Sequence, residues 1–171
     1  MNSPANPPMI VMGVSGCGKS TVGKMLAEAL GSTFTDGDDL HPASNREKMA
    51  AGHPLEDADR QPWLATIGHA LSRSTENGTP AIIACSALKR SYRDLLRAHE
   101  PATLFIHLHG AADLIQNRLD ERSHAYMPST LLTSQLNTLE AIEADETAIE
   151  VDVSQSPEDI VALVANNLNY R

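Results

Sequence analysis

Residues 9–20 read Met-Ile-Val-Met-Gly-Val-Ser-Gly-Cys-Gly-Lys-Ser. An apolar run, Met9 to Met12, delivers the chain into Gly13-Val14-Ser15-Gly16-Cys17-Gly18-Lys19-Ser20, a complete match to G-x-x-x-x-G-K-[ST]. A loop that wraps a polyphosphate needs backbone N–H groups facing inward with no side chains in the way, and Gly13, Gly16 and Gly18 meet that need. The helical pattern Val22, Met25, Leu26, Leu30 follows at once, so the positive end of a helix adds to the attraction for anions. Lys19 is placed to reach the β- and γ-phosphates and Ser20 to ligate Mg²⁺, with Thr21 next in the helix. The motif predicts a bound nucleoside triphosphate.

Composition sets the frame around this loop. The 171 residues suit one domain, 42% of them are hydrophobic and only 4% aromatic, so the core is expected to be aliphatic. A formal net charge of −9 argues against a nucleic-acid partner. The two cysteines, Cys17 in the loop and Cys85 in an apolar run, read as reduced thiols of a cytoplasmic protein. Residues 1–8 read as a flexible leader with no targeting signal. No stretch approaches the roughly 18 apolar residues of a membrane span.

Beyond the loop, compact apolar runs alternate with amphipathic segments, the pattern of βαβ units around a parallel sheet. Strands are expected at 9–12, 33–35, 81–85, 103–108 and 148–151. Helices are expected near 19–30, 44–51, 57–75, 88–98, 111–121, 129–140 and 157–168. Ser156-Pro157-Glu158-Asp159 carries a capping serine, a first-turn proline and two acids at the positive end of the last helix. Ligands of such sheets gather beyond the carboxyl ends of the strands, which directs attention to the residues after each run.

After the second strand stands Asp36-Gly37-Asp38-Asp39-Leu40-His41-Pro42. Carboxylates crowded this closely repel one another unless a cation or proton is shared. One reading assigns Asp36 to the Mg²⁺ shell and Asp38 to accepting the proton of an acceptor hydroxyl, with His41 beside them on the acceptor side; the other is a solvated acidic turn with a helix cap. Residues 37–64 are longer than a connector requires and read as a substrate-binding insertion. Its Arg46 and Arg60 present paired donors that match a carboxylate, although each could equally serve a surface ion pair. Trp63 fits either a ligand face or the core.

A basic run follows the third strand at Lys89, Arg90, Arg93 and Arg97. Eight residues of helix span about 12 Å, too far for one site to engage all four. Lys89 and Arg93, near the strand end and sharing a helical face, are assigned to the acceptor, and Arg90 and Arg97 to surface pairing, although a solvated basic face suits any one of them as well. Ser86 stands at the strand end itself. After the fourth strand Arg118 and Arg122 fall in a segment, 118–128, with the character of a lid whose arginines cover phosphates and whose closure excludes water.

Assembled, these blocks resemble the gluconokinases, small P-loop kinases related to shikimate kinase. The resemblance rests on residues 12–20, Asp36 to Pro42, Asn45-Arg-Glu-Lys-Met49, Pro54-Leu-Glu-Asp57, Asp59-Arg-Gln-Pro-Trp-Leu64, Cys85-Ser-Ala-Leu-Lys89 with Tyr92-Arg-Asp94, and Leu131-Leu-Thr-Ser-Gln135 with Thr138-Leu-Glu140. It implies a single-domain, three-layer α/β fold with five parallel strands in the order 2-3-1-4-5 and a mobile lid. It also implies transfer of the ATP γ-phosphate to the 6-hydroxyl of D-gluconate, giving 6-phospho-D-gluconate and ADP in gluconate utilisation, by a homodimer. Lys19, Asp38 and Arg122 would carry catalysis. The lid departs from the family pattern Arg-x-Gly-His-Phe-Met-Pro, because here Arg122-Ser-His124-Ala-Tyr126-Met-Pro128 moves the histidine one place and replaces Phe by Tyr. Two alternatives remain open: a P-loop kinase for shikimate or another sugar acid, and a nucleotide-binding regulator without catalysis. The retention of Lys19, Ser20, Asp36 and Asp38 together counts against the second.

Overall fold

Five short strands, β1 (Met9–Met12), β2 (Thr33–Asp36), β3 (Ala81–Ala84), β4 (Leu104–His109) and β5 (Ala148–Asp152), pair in the order β2-β3-β1-β4-β5, every neighbour parallel. This is the order the resemblance implies. The computed structural model describes residues 5–123 and 129–170.

Seven helices are described: α1 (Lys19–Leu30), α2 (Ala43–Ala50), α3 (Asp57–Glu76), α4 (Arg90–His99), α5 (Ala112–Ser123), α6 (Ser129–Thr138) and α7 (Pro157–Asn169). They cover both faces of the sheet, which explains why the strands read as unbroken apolar runs instead of alternating. Along β1, Met9 and Val11 pack with Val22 and Leu26 of α1 and Val164 of α7, while Ile10 and Met12 pack with Leu64 and Ile67 of α3 and Leu96 of α4. All of these side chains are buried, and each large aliphatic one removed from water contributes roughly 1.5–3 kcal/mol.

Helix ends follow local chemistry. Gly31 adopts a left-handed φ of 64° at the close of α1, a conformation open to glycine at no steric cost. Glu56 and Asp59 form a reciprocal capping box at the start of α3. The Ser156 hydroxyl accepts from the Asp159 N–H at 3.1 Å, the cap expected at α7.

Most boundaries fall within one or two residues of expectation, and two of the shifts have a local cause. Helix α4 begins at Arg90, not 88, because Ala87 takes a positive φ of 46° and Lys89 is the extended residue before the first turn. Helix α6 stops at Thr138, where the Glu140 N–H turns aside to the Leu88 carbonyl at 2.8 Å. At the amino end, Pro8 is buried and its carbonyl accepts from the Leu104 N–H at 2.9 Å, so the chain is already tied to the sheet one residue before β1.

Candidate active site

The phosphate loop joins β1 to α1 at the carboxyl edge of the central strand. A Cβ at Gly13 would stand 2.6 Å from the Leu108 carbonyl oxygen and 2.7 Å from Cys17 Sγ, so only glycine lets the loop leave β1 along this path. The Gly13 N–H donates to the Ser86 carbonyl at 3.3 Å, fastening the loop to the end of β3. Val14 and Cys17 are buried beneath the loop, and burial pushes the Cys17 thiol up in spite of Lys19. Cys17 is thus a packed neutral thiol, with the thiolate disfavoured.

Lys19 folds over its own loop and donates to the carbonyls of Gly13 at 3.0 Å and Val14 at 3.1 Å. Next to it, the Ser20 hydroxyl donates to Asp36 Oδ2 at 3.0 Å, while Asp36 Oδ1 accepts the Asp38 N–H at 3.0 Å. That last bond caps the 3₁₀ turn Gly37–Leu40 that carries Asp38. Burial raises the Asp38 carboxyl above the ordinary carboxylate range, the neighbouring Asp36 charge adds to the rise, and Lys19 and His41 oppose it. A carboxyl tuned upward in a cleft is better matched to proton transfer than a fully solvated one.

These groups share one cavity of about 310 Å³, whose lining includes Lys19, Ser20, Asp36, Asp38, Arg122 and Gln135. A second cavity of about 440 Å³ continues on the other side of the loop, bounded by Thr21, Arg118, Arg122, Gln155 and Pro157. Gly16, Gly18 and Arg122 border both, so the two halves meet around the loop. Residues 124–128 of the expected lid, His124 included, lie outside the described residues.

Serine and carboxylate oxygens at one point suit a hard divalent cation. Among the described residues no group of three His, Cys, Asp or Glu forms a metal cage. Mg²⁺ does not require one, since it keeps several waters and binds through one or two protein oxygens plus substrate phosphates. Ser20 and Asp36 fit that role.

The acceptor-side candidates form a second group beside the 3₁₀ turn. His41 stacks on Trp63 with ring centroids 4.1 Å apart, and the Trp63 indole N–H donates to the Gly37 carbonyl at 2.7 Å. Trp63 is buried and therefore supports the acidic turn from within. Burial lowers the His41 pKa, and the charges of Arg46 and Arg60 lower it further against the pull of Asp38, which keeps the ring neutral. Arg46 donates to the Asp39 carbonyl at 2.7 Å and Arg60 to the Leu55 carbonyl at 2.7 Å. Arg60 also lies over the Tyr92 ring at 5.8 Å, as does Lys89 at 5.6 Å. Lys89 pairs with Asp57 at 3.1 Å, and the Tyr92 hydroxyl donates to the same carboxylate. Asp57 thus occupies the Lys89 ammonium as an acidic ligand would.

Arg93 does not belong to this group. It is fully buried, and its donors go to the Ala87, Leu88, Glu140 and Ala141 carbonyls and to Glu146 at 2.7 Å. The helical face it is expected to share with Lys89 does not form, because Lys89 precedes the helix and Arg93 points inward. Arg90 makes the surface ion pairs expected of it, with Asp145, Glu143 and Asp94, whereas Arg97 pairs with Asp94 at the surface and also with the buried Glu146.

One cavity residue escaped sequence reasoning as an individual. Gln135 of α6 accepts the Ser15 N–H on Oε1 at 2.6 Å and donates from Nε2 to Ser15 Oγ at 2.9 Å, across 120 positions of sequence. Its only signal was membership of the block from Leu131 to Gln135.

A parallel sheet with a G-x-x-x-x-G-K-[ST] loop at its central strand, and an acidic turn facing that loop, defines an ATP-binding P-loop kinase of small molecules. A family model described as shikimate kinase matches residues 15–168. Gluconokinase of Gluconobacter oxydans is 46% identical over 150 residues, covering 88% of this chain and 84% of that protein. The thermoresistant gluconokinase of Escherichia coli is 45% identical over 154 residues, covering 90% and 88%. A crystal structure of a gluconokinase from Sinorhizobium meliloti superposes with a TM-score of 0.85 at 43% identity, covering 98% of each chain. The chain belongs to the gluconokinase family.

Proposed function

We propose that this chain phosphorylates D-gluconate on its 6-hydroxyl with Mg-ATP as donor. The observation that carries the reading is the meeting of Lys19, Ser20, Asp36 and Asp38 in one cavity, donor-side and acceptor-side groups together, in a chain of this family.

In this reading the loop N–H groups and Lys19 hold the β- and γ-phosphates, and Arg118 and Arg122 offset the remaining charge. Mg²⁺, held by Ser20 and by Asp36 through oxygen ligands, would supply further neutralisation of the phosphates. Asp38 orients the 6-hydroxyl and receives its proton as the oxygen bonds to the γ-phosphorus and the bond to the ADP oxygen breaks. Arg46, Arg60 and Lys89, with His41, hold the sugar acid through its carboxylate and hydroxyls. Positioning and electrostatics account for most of the acceleration.

The test is ADP release with Mg-ATP across gluconate, other sugar acids and shikimate. Gluconate-dependent turnover is expected; its absence removes the reading, and turnover with shikimate alone replaces it. A homodimer and a cytoplasmic location are part of the same proposal. Sedimentation tests the first. The second draws support from two buried free cysteines.

A further inference from the structure

Ser15 sits in the loop between two glycines of positive φ, Gly13 at 145° and Gly16 at 85°. Backbone of this kind is conformationally soft, because glycine loses more freedom on ordering than any other residue. The Gln135 amide bonds the backbone N–H and the hydroxyl of Ser15 at once, and since a backbone N–H can only donate, the amide oxygen must face it. The clamp is therefore oriented as well as bidentate.

Its base is fixed. Leu132 is buried, Leu136 and Leu139 pack on the core, and the Glu140 N–H donates to the Leu88 carbonyl at 2.8 Å. The Glu140 carboxylate accepts from the Arg90 N–H at 2.7 Å, and its carbonyl accepts from buried Arg93 at 3.2 Å. The arginine network of α4 thus anchors the end of the helix from which Gln135 reaches the loop.

We propose that Gln135 is a positioning residue for phosphoryl transfer: its amide fixes the Ser15 peptide, so that the leading turn of the phosphate loop holds its shape as the γ-phosphate moves to the acceptor. The inference rests on the kinase reading above. Gln135→Met preserves length and removes both hydrogen bonds. Its kcat is expected to fall roughly 10- to 100-fold, with KM for ATP and gluconate changing less than about threefold. Gln135→Glu serves as the conservative variant, because a protonated carboxyl offers the same acceptor and donor while an ionised one adds charge beside the phosphates. With an ordinary pKa of about 4.3 it is ionised at neutral pH, so its kcat is expected to stay below the parent's, with KM for ATP and gluconate again changing less than about threefold.

Parent-level kcat in Gln135→Met overturns the proposal, as does a loss confined to KM. Parent-level kcat in Gln135→Glu also overturns it, since the added charge would then leave the loop undisturbed. If the parent itself shows no gluconate-dependent turnover, the kinase reading fails first, so the two failures are told apart.

Discussion

The Ser20 hydroxyl and the Asp36 carboxylate meet at 3.0 Å, joining the first turn of α1 to the end of β2. Asp36 also accepts the Asp38 N–H, so this bond ties the phosphate loop to the turn that carries the acceptor-side carboxyl. Asp36→Asn keeps the shape but removes the charge that attracts a cation. The Mg²⁺ concentration for half-maximal rate is expected to rise about tenfold or more, with the gluconate KM little changed. A titration of rate against Mg²⁺ at fixed ATP checks it.

Asp38 works in its ionised form if it takes the acceptor's proton. Burial and Asp36 raise its carboxyl, so the acid limb of kcat/KM for gluconate should lie above the ordinary carboxylate range, with rate falling as pH drops through it. Asp38→Asn should lower kcat by roughly 100-fold or more and abolish that limb, leaving ATP binding near the parent value. A pH–rate series on both proteins decides the point.

Lys89 and Arg93 are only four residues apart, yet their substitution should separate cleanly. Lys89→Met is expected to raise the gluconate KM about tenfold while the ATP KM and melting temperature hold. Arg93→Met takes two bonds from the buried Glu146 carboxylate, leaving it to Arg97 and the Glu143 N–H, and strips four carbonyls of their donor, and should cost about 3–5 kcal/mol of stability. Denaturant titration beside substrate kinetics tells a ligand contact from a structural one.

Glu146 gives stability a pH dependence. Burial alone would raise its carboxyl, but bonds from Arg93, the Glu143 N–H and Arg97 overcome that and hold it at about 2, against an ordinary 4.5. A depressed folded-state value stabilises the fold above the unfolded value and is lost as pH falls from about 4.5 towards about 2. The difference corresponds to about 3 kcal/mol. Glu146→Gln should be less stable at neutral pH and lose less on acidification, as read by urea midpoints across that interval.

Trp63→Phe keeps a ring against His41 and deletes the indole donor to the Gly37 carbonyl. Loss of one buried hydrogen-bond partner costs roughly 1–3 kcal/mol. The acidic turn should loosen, lowering both melting temperature and kcat. A variant with parent kcat would show that the turn needs no such support.

The strands and the phosphate loop were legible in sequence because both are local: a run of buried side chains and an unbroken glycine-lysine motif carry their own reasons. The nucleotide half of the site and the acidic turn followed from strand-end logic. Depth was not legible. Helical spacing gave Arg93 a face but could not show that carbonyls from residues 140 and 141, brought in from beyond α6, would enclose it. Gln135 stayed hidden for a related reason, since its meaning lies in a loop 120 positions away. The boundary of α4 shifted because the positive φ at Ala87 leaves no trace in hydrophobic periodicity.

The sheet order works as a ruler. Ala84 is in register with Val11 on one side and Asp36 on the other, so those three residues stand at one level across β1, β3 and β2. With strands about 4.8 Å apart, Asp36 stands about 9.5 Å from the strand that launches the phosphate loop. Strand β3 lies between them, and Ala84, which lines the cavity, presents only a methyl group there. The spacing between the strand ends from which the phosphate loop and the acidic turn depart is thereby set by backbone hydrogen bonding, independent of the side chains that line the cavity.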